Sequence, residues 1–143
     1  MLITYPFKVA LIDDDQTILD MGQRALQQLD QVQTRPFVDG TTALNAIRDE
    51  DIRIVISDIN MPGMKGDELL RECMALKTGI QFWAMTGGDS IIVADLCLRE
   101  GARGYLLKPV EIQLLRGVVQ DAADHLANWN NLLRGMAGRR AGA

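Results

Sequence analysis

Four short apolar runs along the chain each end on a residue able to do chemistry. Val9-Ala10-Leu11-Ile12 leads into Asp13-Asp14, and Ile54-Val55-Ile56-Ser57 leads into Asp58. Phe82-Trp83-Ala84-Met85 leads into Thr86, and Tyr105-Leu106-Leu107 into Lys108. Unbroken runs of this length suit strands buried on both faces and are too short for helices. If they lie parallel in one open sheet, their carboxyl ends share an edge, where such sheets form their ligand and catalytic sites.

The stretches between the runs carry the helical period. Ile18, Leu19, Ala25, Leu26 and Leu29 stripe a helix over 16–29, and Ala43, Leu44 and Ile47 stripe one over 41–49. Further helices are expected at 66–77, 89–100 and 110–134, with strands at 8–12, 32–38, 53–57, 80–85 and 104–107. Gly101 is placed to stop the fourth helix and Pro109 to open the last. Strands alternating with helices in this way predict an α/β fold: a doubly wound, five-stranded parallel sheet with five helices on its two faces. Residues 1–134 are expected to form the domain, and 135–143 a flexible C-terminal tail that frays.

In the last helix, Leu115, Val118, Val119, Ala122, Leu126, Trp129 and Leu133 form one stripe that is expected to pack on the domain. From Ala127 onward it should overhang the sheet, since strands of five residues span only about 17 Å. An overhanging Trp129 can serve a dimer contact or lead into a further domain.

The chain has 143 residues, of which 48% are hydrophobic, enough for one real core. A net charge of −4 argues against a nucleic-acid surface. No apolar run approaches the roughly 18–20 residues needed to span a bilayer, and the N-terminus has no basic start or cleavage site of a signal peptide. Cys73 and Cys97 sit in apolar helical patterns without CxxC spacing and read as reduced core thiols. The expectation is a cytoplasmic protein with no membrane attachment.

Asp15 reads as a helix cap, and Asp13 and Asp14 alone would pass for solvated loop acids. Their weight comes from Asp58, Thr86 and Lys108 at equivalent strand ends. Three clustered carboxylates repel and raise one another's pKa values. A hard cation with oxygen ligands relieves that conflict, and Mg²⁺ suits few carboxylates, several waters and a phosphate oxygen. Zinc is disfavoured because the single histidine, His125, lies on the last helix, far from the strand ends.

Together, Ile12-Asp13-Asp14-Asp15, Asp58-Ile59-Asn60-Met61-Pro62-Gly63, Met85-Thr86-Gly87 and Gly104-Tyr105-Leu106-Leu107-Lys108-Pro109 resemble the receiver domain of two-component response regulators. Asp39-Gly40 and Gly66-Asp67-Glu68-Leu69-Leu70 fit the same pattern, and the resemblance covers about residues 8 to 125. It implies a flavodoxin-like sheet and a phosphoacceptor at Asp58. The metal, Mg²⁺ or Mn²⁺, would be held by Asp13, Asp14, Asp58 and the backbone carbonyl of Asn60, with Asp14 the more direct ligand of the acidic pair. Thr86 and Lys108 would meet the phosphoryl group, and the Lys108–Pro109 peptide would be cis. The Asn60 side chain and position Gly88 would modulate the lifetime of the phosphorylated state. Tyr105 is either an aromatic at the sheet edge or, as the resemblance implies, a switch residue answering Thr86.

The partners implied are a sensor histidine kinase or phosphotransfer protein, a downstream protein or output domain, and a possible homodimer. Ile91, Ile92, Leu98 and Tyr105 are candidates for the output face, whereas Met61, Met64 and Met74 read as packing. Three other functions are weighed. A Mg²⁺-dependent phosphohydrolase would carry a second acid two residues past its nucleophile, where this chain has Asn60. A receiver-shaped module that takes no phosphate has no reason to keep all five pocket residues. A flavin carrier needs a Ser/Thr/Gly-rich first turn, and Asp13-Asp14-Asp15 would repel its phosphate.

Overall fold

The computed structural model describes residues 2–88 and 91–142, with side chains as far as Arg139. Ten elements alternate: β1 (Phe7–Ile12), α1 (Gln16–Leu26), β2 (Val32–Phe37), α2 (Gly40–Asp49), β3 (Ile54–Asp58), α3 (Gly66–Ala75), β4 (Gln81–Thr86), α4 (Ile91–Arg99), β5 (Gly104–Leu107) and α5 (Ile112–Gly142). The five strands form one parallel sheet in the order β2-β1-β3-β4-β5, the doubly wound arrangement the alternation predicts.

Alternation along each strand divides the core in two, because successive side chains point to opposite faces. Val9, Leu11, Ile54, Ile56, Trp83 and Met85 pack under α1 and α5. Ala10, Ile12, Val55, Phe82 and Ala84 pack under α2, α3 and α4. Each fully buried Leu, Ile or Phe contributes about 1.5–3 kcal/mol. The chain leaves β1 toward β2 on one side and reaches β3 on the other, so the order reverses beside β1. In open sheets of this kind ligand sites form at that point, outside the carboxyl ends of the strands.

Asp15 caps α1 by accepting from Thr17 N at 3.0 Å, and Asp39 caps α2 by accepting from Thr42 N at 2.8 Å. Three helices differ from expectation at their ends. α1 stops at Leu26, three residues early, where Leu29 N turns back to the Leu26 carbonyl; α3 stops at Ala75. α5 opens at Ile112, past Pro109 rather than on it, and continues to Gly142 instead of ending near 134. Gly135 and Gly138 each cost a helix only about 1 kcal/mol, and the Met, Ala and Arg residues around them favour it. The expected start of α4 at residues 89 and 90, and Ala143 of the expected tail, lie outside the described residues.

Asn130 ties α5 to the opposite terminus. Its side chain is buried, accepts from Ile3 N at 2.8 Å and donates to Ile3 O at 3.0 Å. The N-terminal segment, with a cis Tyr5–Pro6 peptide, thereby lies against the long helix. Among the described residues, no helix is long and apolar enough to cross a membrane.

Candidate functional site

Strand register assembles the site. Ile12 pairs with Ser57 and Asp58 with Met85, so Asp13, one step past Ile12, stands level with Asp58. Thr86 pairs with Leu107, which puts Lys108 at the same rim. Carboxylate oxygens of Asp13, Asp14 and Asp58 lie within 4.8 Å of one another; Asp13 and Asp58 are buried and Asp14 is exposed.

Lys108 reaches into this group, its Nζ 2.6 Å from Asp13 Oδ2 and 3.4 Å from Asp58 Oδ1. The other oxygen of Asp13 accepts from Asp15 N at 2.9 Å, which locks the carboxylate into the β1–α1 turn. Burial pushes the Asp58 carboxyl above its ordinary range; the Lys108 charge pulls against this and Asp13 adds to it. Burial alone would lower the Lys108 pKa, but the Asp13 and Asp58 carboxylates outweigh it and the net shift is upward.

One ammonium among three carboxylates leaves two negative charges uncompensated. An all-oxygen donor set with one carboxylate open to solvent fits a hard divalent cation of the Mg²⁺ type. Asp13, Asp14 and Asp58 are the side chains that can hold it.

The remaining site residues lie around these. Thr86 Oγ1 accepts from Gly88 N at 3.1 Å and from Asn60 Nδ2 at 3.5 Å, while Asn60 N donates to Asp58 Oδ1 at 3.3 Å. Backbone bonds fix the loops: Ile59 N to Met85 O at 2.9 Å and Lys108 N to Thr86 O at 2.8 Å. The Lys108–Pro109 peptide is cis. Tyr105 is half-buried, away from the carboxylates, and lines a cleft of about 250 Å³ with Ala94, Cys97 and Leu98. His125 lines a different cleft with Ile3, Arg53 and Trp129, so it has no part in the carboxylate group.

Sequence reasoning missed one contributor at the site. Gly66 N bonds to Ile59 O at 3.1 Å, and a Cβ at Gly66 would fall on the Asp58 carbonyl oxygen and 2.7 Å from Ile59 Cα. Its place in the Gly66-Asp67-Glu68 pattern marked it as fitting the resemblance without revealing this contact.

A five-stranded doubly wound sheet with an acidic cluster and a lysine at its switch point defines a class: flavodoxin-like domains with a metal-compatible acidic site. The response regulator receiver domain family matches residues 9–120, and this chain belongs to it. The chemotaxis protein CheY of Pseudomonas aeruginosa is 32% identical over 118 residues, covering 79% of this chain and 93% of that protein. The transcriptional regulatory protein MalR of Bacillus subtilis is 29% identical over 114 residues, covering 79% of this chain but 48% of MalR. This chain thus spans about half or less of several curated regulators it matches. A CheY-like receiver domain from Methanospirillum hungatei superposes with a TM-score of 0.78 at 26% identity, covering 85% of this chain and 97% of that one. The chain is therefore similar to two-component signalling proteins throughout its site-bearing part.

Proposed function

We propose that this chain is a phosphorylation-dependent switch whose acceptor is Asp58. An Asp58 carboxylate oxygen attacks the phosphorus of a phosphohistidine on a sensor histidine kinase or phosphotransfer protein. The P–O bond forms as the P–N bond breaks, and the histidine leaves as neutral imidazole after taking up a proton. Such transfer is mostly positioning and charge stabilisation. Lys108 supplies one positive charge beside the acceptor, and Asp13 holds that ammonium in place. Asp13, Asp14, Asp58 and the Asn60 carbonyl would hold Mg²⁺ or Mn²⁺. When bound, the cation supplies neutralisation of the incoming phosphoryl oxygens.

Thr86 then donates its hydroxyl proton to a phosphoryl oxygen, and Tyr105 follows into the space it leaves. The surface altered lies on α4, β5 and the start of α5, where Ile91 and Ile92 are 83% and 82% exposed. That face would meet a downstream protein, an output domain or a second copy. Water later cleaves the acyl phosphate and restores Asp58; Gly88, with no side chain, leaves its approach open.

The observation that carries this reading is the Lys108 ammonium placed between Asp13 and Asp58 at one strand-end level. Treating the chain with acetyl phosphate and Mg²⁺ should give a mass increase of about 80 Da, one phosphoryl group. The adduct should be absent from Asp58→Asn and from samples with chelator. An unmodified wild-type chain, or an adduct that survives Asp58→Asn, overturns the proposal.

A further inference from the structure

Asn60 stands where the acceptor carboxylate and the Thr86 hydroxyl meet, and it touches both. Its backbone N–H donates to Asp58 Oδ1 at 3.3 Å, and its side-chain amide donates to Thr86 Oγ1 at 3.5 Å. A hydroxyl oxygen has two lone pairs. The second on Thr86 is taken by Gly88 N at 3.1 Å, and Thr86 itself is buried. The oxygen is therefore held from two loops, one after β3 and one after β4.

The two bonds of Asn60 respond to the acceptor in sequence. While Asp58 is a carboxylate, its oxygen is a charged acceptor and keeps the Asn60 backbone in place. Once that carboxylate carries a phosphoryl group, the charge leaves the acceptor oxygen and the Asn60 N–H bond weakens. The side-chain amide then loosens from Thr86, whose hydroxyl is freed to turn.

We propose that Asn60 is a positioning residue that latches Thr86 in the unphosphorylated chain and so limits the population of the switched state. This rests on Asp58 being the phosphoacceptor. It differs from any effect of Asn60 on the lifetime of the acyl phosphate, because a latch acts on an equilibrium. The apparent affinity for a ligand of the switched state scales with the fraction of chain in that state. Removing one long hydrogen bond at the edge of the site should raise it about two- to threefold.

The test is equilibrium binding of beryllofluoride, a non-covalent phosphoryl mimic, to the full chain in saturating Mg²⁺. Asn60→Ala should bind about two- to threefold more tightly than wild type. The gain should persist in a Thr86→Ser background, which keeps the hydroxyl, and vanish in a Thr86→Ala background, which has nothing to latch. No gain, or a gain that persists with Thr86→Ala, overturns the latch while leaving the acceptor assignment standing. A wild-type chain that does not bind beryllofluoride overturns the acceptor assignment itself.

Discussion

At Gly66 the backbone of the turn after Asp58 leaves no room for a methyl group. The added Cβ would meet the Asp58 carbonyl oxygen and Ile59 Cα, main-chain atoms that cannot rotate aside. Gly66→Ala should therefore cost about 1–3 kcal/mol in urea unfolding and lower the yield of phosphoryl adduct, because relief requires moving the strand end that carries Asp58. Gly117, in the interior of α5 with nothing within 4 Å of its would-be Cβ, is the control: Gly117→Ala should stabilise by about 0.5–1 kcal/mol. Equal effects at the two positions would refute the steric argument. The same scale shows what sequence can reveal. Asp13, Asp58, Thr86 and Lys108 are legible because each closes an apolar run at a strand end, and parallel strands end together. The Gly66 contact and the Asn60–Thr86 bond are not, because they depend on how closely two loops approach, which no local pattern records.

Between elements, Glu50 does what no single strand or helix can. It stands at the C-terminal end of α2 and takes Lys8 Nζ of β1 at 3.0 Å and Arg35 of β2 through Nε at 2.9 Å and Nη2 at 2.8 Å. The Arg35 guanidinium, and then Lys8, pull the Glu50 carboxyl down to about 2. As pH falls from the ordinary carboxylate value of 4.5, the unfolded chain takes up the proton first. The contribution of Glu50 is thus present above pH 4.5 and fades as pH falls toward 2. The stability difference between wild type and Glu50→Gln should shrink over that interval, measured by chemical unfolding at each pH; a difference that is flat, or grows on acidification, contradicts it. Asn130→Ala should destabilise by about 1–3 kcal/mol, since it strands the N–H and C=O of the buried Ile3. Hydrogen exchange at the Ile3 amide should rise with it. The Asn130 clasp joins positions 127 residues apart and leaves no periodic trace in the sequence. The length of α5 escapes notice for the opposite reason: Gly135 and Gly138 read locally as helix ends, yet the residues around them carry the helix through.

For the molecule as a whole, the helices are unequally secured to the sheet. α5 buries Leu115, Val119, Ala122, Ala123 and Leu126 against the core, whereas the described part of α4 buries only Cys97. Elements with few buried apolar contacts open most readily and are the ones that can answer a change at the site. α4 also precedes β5, which carries Tyr105 and ends beside Lys108, so it adjoins the strand that leads to the lysine next to Asp58. Mg²⁺ with beryllofluoride should therefore change amide hydrogen exchange most in α4 and β5, and least in β2 and in α5 beyond Leu126. Tyr105→Ala should keep the bound mimic but lose much of the change in α4. If β2 responds as strongly as α4, the site acts on the whole fold rather than on its loosest helix. If Tyr105→Ala leaves the α4 response intact, the ring is an edge aromatic and the signal leaves the site by another path.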